Sequence, residues 1–139
     1  MWLALAAVAA LASPQDGWTW TLYENDGGAV LAHEVPDTTR LRTTLECRDG
    51  VDGLMVTVYG VQPAAPFATL TSGDATATGQ LEALRGRGLR VAAPINHPVV
   101  TAFAATGEMT VESGGRSEVV AVPRAHLAKL RRLVELCAR

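Results

Sequence analysis

Three histidines, two cysteines and four serines are the first residues of this chain in which to look for base, nucleophile or metal-ligand chemistry. A protein metal site needs three or four ligands converging on one point, and spacings such as HxH or HxxxH let one element deliver two of them. His33, His97 and His126 have no such spacing, so a site would have to draw them from three separate elements. No metal and no cofactor are expected. His33 precedes Glu34 in a stretch of strand character, which turns the two side chains to opposite faces. His97 lies between Asn96 and Pro98 in a turn, where local capping is its structural role, and either Asn96 or His97 can cap a helix start. His126 falls in the first turn of a C-terminal helix.

The serines offer no activated nucleophile. Ser72-Gly73-Asp74 and Ser113-Gly114-Gly115 read as turns, Ser13 and Ser117 have no evident partner, and no G-x-S-x-G elbow occurs. The carboxylates are scattered, so no acid–base pair stands out. Arg85-Gly86-Arg87-Gly88 is too short for a phosphate-binding loop and lacks the strand–helix setting. No catalytic residue is assigned on this reading. The enzymatic alternative is a small periplasmic hydrolase using one of the histidines.

Cys47 and Cys137 form no CxxC motif of the redox or zinc type. In an oxidising compartment a solitary pair forms one disulfide, whereas in the cytosol two buried thiols are the default. The N-terminus favours the first setting. Every residue from Met1 to Ala12 is apolar, too short a run to span a bilayer, which takes about 20 residues as a helix. Ala10 and Ala12 place small side chains at the −3 and −1 positions of a signal-peptidase site. A signal peptide over residues 1–12 is therefore expected, its missing basic n-region explained if the true start lies upstream. The alternative is a cytosolic protein whose hydrophobic first helix packs on the core.

Of the 139 residues, 48% are hydrophobic and 19% charged, with a formal net charge of −2. That is too apolar for disorder and too near neutral for a nucleic-acid partner. Arg outnumbers Lys 11 to 1 and Ile occurs once, a bias of GC-rich bacterial coding, so arginine abundance is no sign of phosphate recognition. Charge is nonetheless uneven. Arg124, Lys129, Arg131, Arg132 and Arg139 face only Glu135 in the last 16 residues, leaving an acidic body and a basic helix. Basic residues suit a helix C-terminal half through the macrodipole. Lys129, Arg131 and Arg132 are the candidates for contact with an anionic partner, an envelope protein or a surface, though too few to hold a membrane alone.

The elements that must position these residues are mostly strands. Trp18, Trp20 and Leu22 alternate with Thr19, Thr21 and Tyr23, the period of a half-buried strand. Turns at residues 24–28, 36–37 and 48–53 separate it from strands over 29–35, 41–47 and 54–59, a β-meander. After the loop of residues 60–66, strands are expected over 67–72, 75–84 and 89–93. Val99, Ala102, Phe103 and Thr106 then follow a helical period, with Pro98 in the first turn and Gly107 at the C′ position. The same stretch also alternates as an edge strand. A hairpin over 108–122 about Gly114-Gly115 follows. Leu127, Leu130, Val134 and Cys137 form the stripe of a closing helix over 124–138, which brings Cys137 toward Cys47. The expectation is a single domain over 13–139, mainly β (α+β): an antiparallel β-sandwich or partly open barrel of about eight to nine strands with a C-terminal α-helix docked on the sheet.

From His97 onward the order is Phe103-x-x-Thr106-Gly107, a strand, Gly114-Gly115, a second strand, and a helix ending in Cys137. This layout resembles the tail of small exported bacterial proteins of the invasion-associated locus B type. The resemblance covers residues 97–139 and is one of layout. It implies a periplasmic or secreted β-rich protein and carries no catalytic residue across. The chain departs from that family in having no cysteine pattern beyond the single pair. Taken together, the sequence points to an exported bacterial envelope protein with a non-catalytic accessory, binding or inhibitory role.

Overall fold

The computed structural model describes residues 17–139. The expected leader over residues 1–12 lies outside the described residues, and so does Ser13. The chain is mainly antiparallel β, in two sheets with a C-terminal helix packed on them, and the sheets do not close into a barrel among the described residues. The larger sheet has the order β1-β2-β3-β4-β8-β7, from β1 (Thr19–Asn25), β2 (Gly28–Glu34), β3 (Leu41–Arg48), β4 (Leu54–Tyr59), β8 (Gly88–Ala93) and β7 (Glu82–Ala83). The smaller has the order β10-β9-β5-β6, from β10 (Arg116–Ala121), β9 (Glu108–Ser113), β5 (Phe67–Ser72) and β6 (Ala75–Gln80).

Register converts the alternating sequence into a two-sided sheet. Pairing places Leu22, Leu31, Leu45, Val56 and Val91 in one row across five strands, all on the inner face. The next row along is Trp20, His33, Thr43, Val58 and Leu89. Leu31, Leu45, Val56 and Val91 are fully buried, and they meet Leu70, Met109 and Val111 of the smaller sheet in one core. A one-residue slip would turn this whole set outward, so burial of one face holds the register.

Residues 75–84 were expected as one strand, but the chain bends at Leu81. There β6 leaves the smaller sheet and β7 joins the larger, with the Leu81 N–H donating to the Pro66 carbonyl at 2.9 Å. Gly79 permits the crossing, since a Cβ there would meet Val91 and the Ala92 backbone. The two-residue β7 brings the strand total among the described residues to ten.

The residues after Pro94 form α1 (Pro98–Thr106) and not an edge strand. The His97 Nδ1 accepts the Val99 N–H at 3.1 Å, Pro98 supplies the first turn, and Gly107 closes the helix with φ of 78°. Capping at both ends decides between two sequence periods that were nearly equal. The Gly107 N–H donates to Phe103 at 2.6 Å and its carbonyl accepts from Val122 at 2.7 Å, so this residue joins α1 to the end of the β9–β10 hairpin. A Cβ at this position would run into the Val122 carbonyl oxygen. Gly107→Ala is therefore expected to lower stability by about 2–3 kcal/mol, combining left-handed strain with displacement of that carbonyl. A thermal melt of the variant within a degree of the wild type would show that the junction adapts.

The final helix, expected from Arg124, begins later. Residues Arg124–His126 make a 3-10 turn after the extended Pro123, and α2 (Leu127–Cys137) follows with Leu130 and Leu133 fully buried. It packs chiefly on β2 and α1, with further contacts to β3 and β1. Cys137 at its end and Cys47 on β3 stand at disulfide distance, with Cα atoms 5.5 Å apart. No helix among the described residues is long and apolar enough to cross a membrane.

Candidate functional site

The inner face of the larger sheet is covered by the smaller sheet and by α2, and in the row that begins with Trp20 the cover buries Trp20, Thr43, Val58 and Leu89 and leaves His33 half-buried. A groove of about 300 Å³ opens there. Trp20, His33, Arg42, Thr43, Val58 and Tyr59 line its floor and walls from β1 to β4, and residues 118–121 of β10 border the other side.

The groove is held by stacked side chains. The His33 imidazole lies flat on Trp20, with ring centroids 4.7 Å apart and planes inclined by 6°. Trp18 meets the same imidazole at 5.3 Å with a tilt of 56°. The Arg42 guanidinium sits over the Trp18 ring at 3.9 Å and that of Arg40 at 5.1 Å, within range of cation–π attraction. Neither arginine is paired with a carboxylate among the described residues.

Below the groove, α2 supports the free edge of β1. The Lys129 Nζ donates to the Trp20 carbonyl at 2.7 Å and reaches the His126 Nδ1 at 3.2 Å. An ammonium thus satisfies a backbone acceptor for which the sheet supplies no neighbouring strand. With Lys129 as donor, the His126 Nδ1 is the acceptor, which requires a neutral ring.

Both histidines are held below their ordinary pKa. For His33 the causes are burial, then the Arg42 charge, then His126; for His126 they are burial, then Lys129. A lowered histidine pKa means that the folded chain binds fewer protons than the unfolded chain around pH 6, so stability rises with pH there. Its contribution is intact above the ordinary histidine value near 6.5 and is lost as pH falls through it toward the folded values. The melting temperature is thus expected to drop between pH 7.5 and pH 5. His33→Phe, which keeps a ring on Trp20, should flatten that drop. An unchanged pH profile in His33→Phe would remove His33 as a source of the effect.

The structure brings together only part of what the sequence singled out. His33 and His126 lie within each other's field, while His97 caps α1 elsewhere. Among the described residues no group of three or more His, Cys, Asp or Glu side chains is placed to hold a metal ion. Ser72 and Ser113 donate to the carbonyls of Glu108 and Phe67, as structural hydroxyls between strands. His33 and Glu34 do point apart, His33 to Trp20 and Glu34 to the Tyr23 hydroxyl on the outer face.

The three basic residues of the last helix go to three different partners. Lys129 turns inward to Trp20. The Arg131 Nε donates to the Ala104 carbonyl of α1 at 3.3 Å. Arg132 pairs with Glu24 at 3.2 Å and Glu135 at 3.7 Å, so part of the charge split between helix and body is settled within the chain.

Trp18, Trp20, Arg40 and Arg42 were not singled out from the sequence as site residues. Trp20 and His33 were within reach, because a tight turn at 26–27 sets them directly opposite. Arg42 was not, since the register shifts between His33 and Glu34 and breaks the simple count from β2 to β3.

A larger cavity, about 490 Å³, lies at the other end beside Cys47 and Cys137. Its carboxylates Glu24, Asp26, Asp49 and Asp52 come from β1 and two separate turns and share the space with Arg48 and Arg139.

No protein-family model matches the chain, no curated protein matches its sequence, and no solved structure matches its fold.

Proposed function

We propose that the chain is an exported bacterial envelope protein, periplasmic or secreted, that acts by binding as an accessory or inhibitory module. The groove at Trp20, His33 and Arg42 carries this reading. His33 and Arg42 are stacked on the Trp20 and Trp18 rings, an arrangement that offers a partner a fixed cationic surface backed by aromatic rings. A catalytic imidazole needs a nucleophile on one nitrogen and an orienting group on the other. Stacking between two indoles fixes the plane of His33 and supplies neither.

Location is supported by three observations. The apolar run to Ala12 ends in a signal-peptidase pattern, a layout like that of the invasion-associated locus B proteins covers the C-terminal residues, and the cysteines stand at disulfide distance. A cross-link between β3 and the closing helix persists only where thiols are kept oxidised.

The test is affinity capture from a bacterial envelope extract with the full chain as bait, run beside an assay of ester, amide and glycoside hydrolysis. Capture of a specific partner by the wild type and its loss with Arg42→Gln are expected, with no turnover. Hydrolysis abolished by His33→Ala would replace this reading with a small periplasmic hydrolase. Alkylatable thiols and an intact N-terminus in native material would place the protein in the cytosol instead.

A further inference from the structure

β10 is an edge strand, and the groove runs along it. Four consecutive residues, 118–121, border the groove. Successive side chains of a strand point to opposite faces, so what borders the groove is the edge itself, backbone included. The direction of the backbone groups follows from the hairpin. Gly114-Gly115 is a two-residue turn closing the Ser113–Arg116 pair, and the Val122 N–H donates to Gly107 at 2.7 Å on the β9 side. With a period of two, Arg116, Glu118 and Val120 bond to β9, while Val119 and Ala121 turn their N–H and C=O groups to the open side. Among the described residues these groups have no hydrogen-bond partner.

Natural edge strands are shielded by inward charges, prolines or bulges. β10 has no proline and pairs with β9 in unbroken register; its shielding is limited to Glu118, on the face of the buried Val120, while Val119 at its centre is 59% exposed. Across the groove Arg42 is pre-aligned on Trp18, and among the described residues it makes no ion pair with a carboxylate.

Building on the binding reading above, we infer that β10 takes an additional strand: an extended segment of a partner protein that hydrogen-bonds to Val119 and Ala121 and places one acidic side chain against Arg42. Backbone pairing supplies affinity independent of sequence, and the arginine supplies selectivity. Glu118, the one carboxylate lining the groove, disfavours a run of acidic residues, so the preferred segment carries a single acid among uncharged residues.

The experiment uses the full chain and an array of labelled peptides six residues long, the length of β10. The peptides alternate Val and Thr, with Glu moved through every position, and have Gln and Lys counterparts. Binding is read by fluorescence anisotropy. The best Glu peptide is expected to bind about tenfold tighter than its Gln counterpart, the worth of one charged hydrogen bond. Arg42→Gln should erase that preference. Val119→Pro removes the outward N–H at an edge position where proline is tolerated, and should abolish binding with little change in the thermal melt. N-methylation of alternate peptide amides should do the same with the protein unaltered.

Absence of binding across the array at about millimolar peptide, the weak limit of specific association, would overturn the inference. So would affinity indifferent to N-methylation. Concentration-dependent dimers that Val119→Pro disperses would make the occupant a second copy of this chain. An envelope partner lost with Arg42→Gln but captured equally by wild type and Val119→Pro would overturn this site while the binding reading stands. Hydrolytic turnover would overturn the binding reading itself.

Discussion

Cys47→Ala/Cys137→Ala is expected to lower the free energy of unfolding by about 4–5 kcal/mol relative to the oxidised wild type, the largest effect of any change considered. The magnitude follows from chain entropy. The two residues are 90 positions apart, so a bridge between them removes a long closed loop's worth of freedom from the unfolded chain. The loop holds every strand from β4 to β10 and both helices. A loss of that size is comparable to the whole stability of many small domains, and corresponds to a fall of about 10–20 °C in melting temperature. Guanidinium titrations of the wild type, with and without reductant, check this directly. Coincident transitions for oxidised and reduced protein would show that the link between β3 and α2 contributes nothing. The reduced protein should also fray first at α2, because its contacts with β2 and β3 are then held only by apolar packing around Leu130 and Leu133.

The second large effect is expected at the groove. Trp20 is 2% exposed, stacks on His33 and presents its carbonyl to Lys129. Trp20→Ala deletes a large buried side chain and leaves a cavity that its rigid neighbours fill only in part. The expected loss is about 3–5 kcal/mol by denaturant unfolding. The carbonyl remains, so the Lys129 bond should persist and the loss should come from packing. With the indole gone, water reaches His33 and the burial that lowers its pKa is relieved, so its titration by NMR should move up toward the ordinary histidine range. Trp20→Phe should retain most of the stability and part of the shift. A His33 titration unmoved by Trp20→Ala would assign the lowered pKa to Arg42 and not to burial.

Much of the fold was legible because it is written in local pattern. Leu54–Tyr59, Phe67–Ser72 and Glu108–Ser113 appear as strands where the sequence places them, and the hairpins they belong to turn at glycines. The helix after Pro98 depended on caps that the sequence displays, His97 and Gly107. The bend at Leu81 was not legible, since the two-residue alternation runs on through it from Ala75 to Ala83. Only packing of Gly79 against Val91 and Ala92 turns the chain from one sheet to the other.

The candidate site was less legible than the fold. Its residues are spread over β1, β2, β3, β4 and β10, and no motif links them. Two of the three histidines, His97 and His126, lie away from the site or at its margin, where they cap a helix and accept from a lysine. The basic residues of the last helix looked free in a charge count, yet Lys129, Arg131 and Arg132 each have a partner within the chain.

By itself the sequence determined an antiparallel β-domain closed by a helix, and that helix's approach to the third strand. Both are consequences of side-chain period and of which face must be buried. Only the tertiary structure decided that two sheets remain open along β10, that Arg40 and Arg42 lie over Trp18, and that His33 lies on Trp20 beside a free strand edge. Those relations join residues far apart in the chain, and they are set by strand order and by the bulge between His33 and Glu34, which no local period encodes.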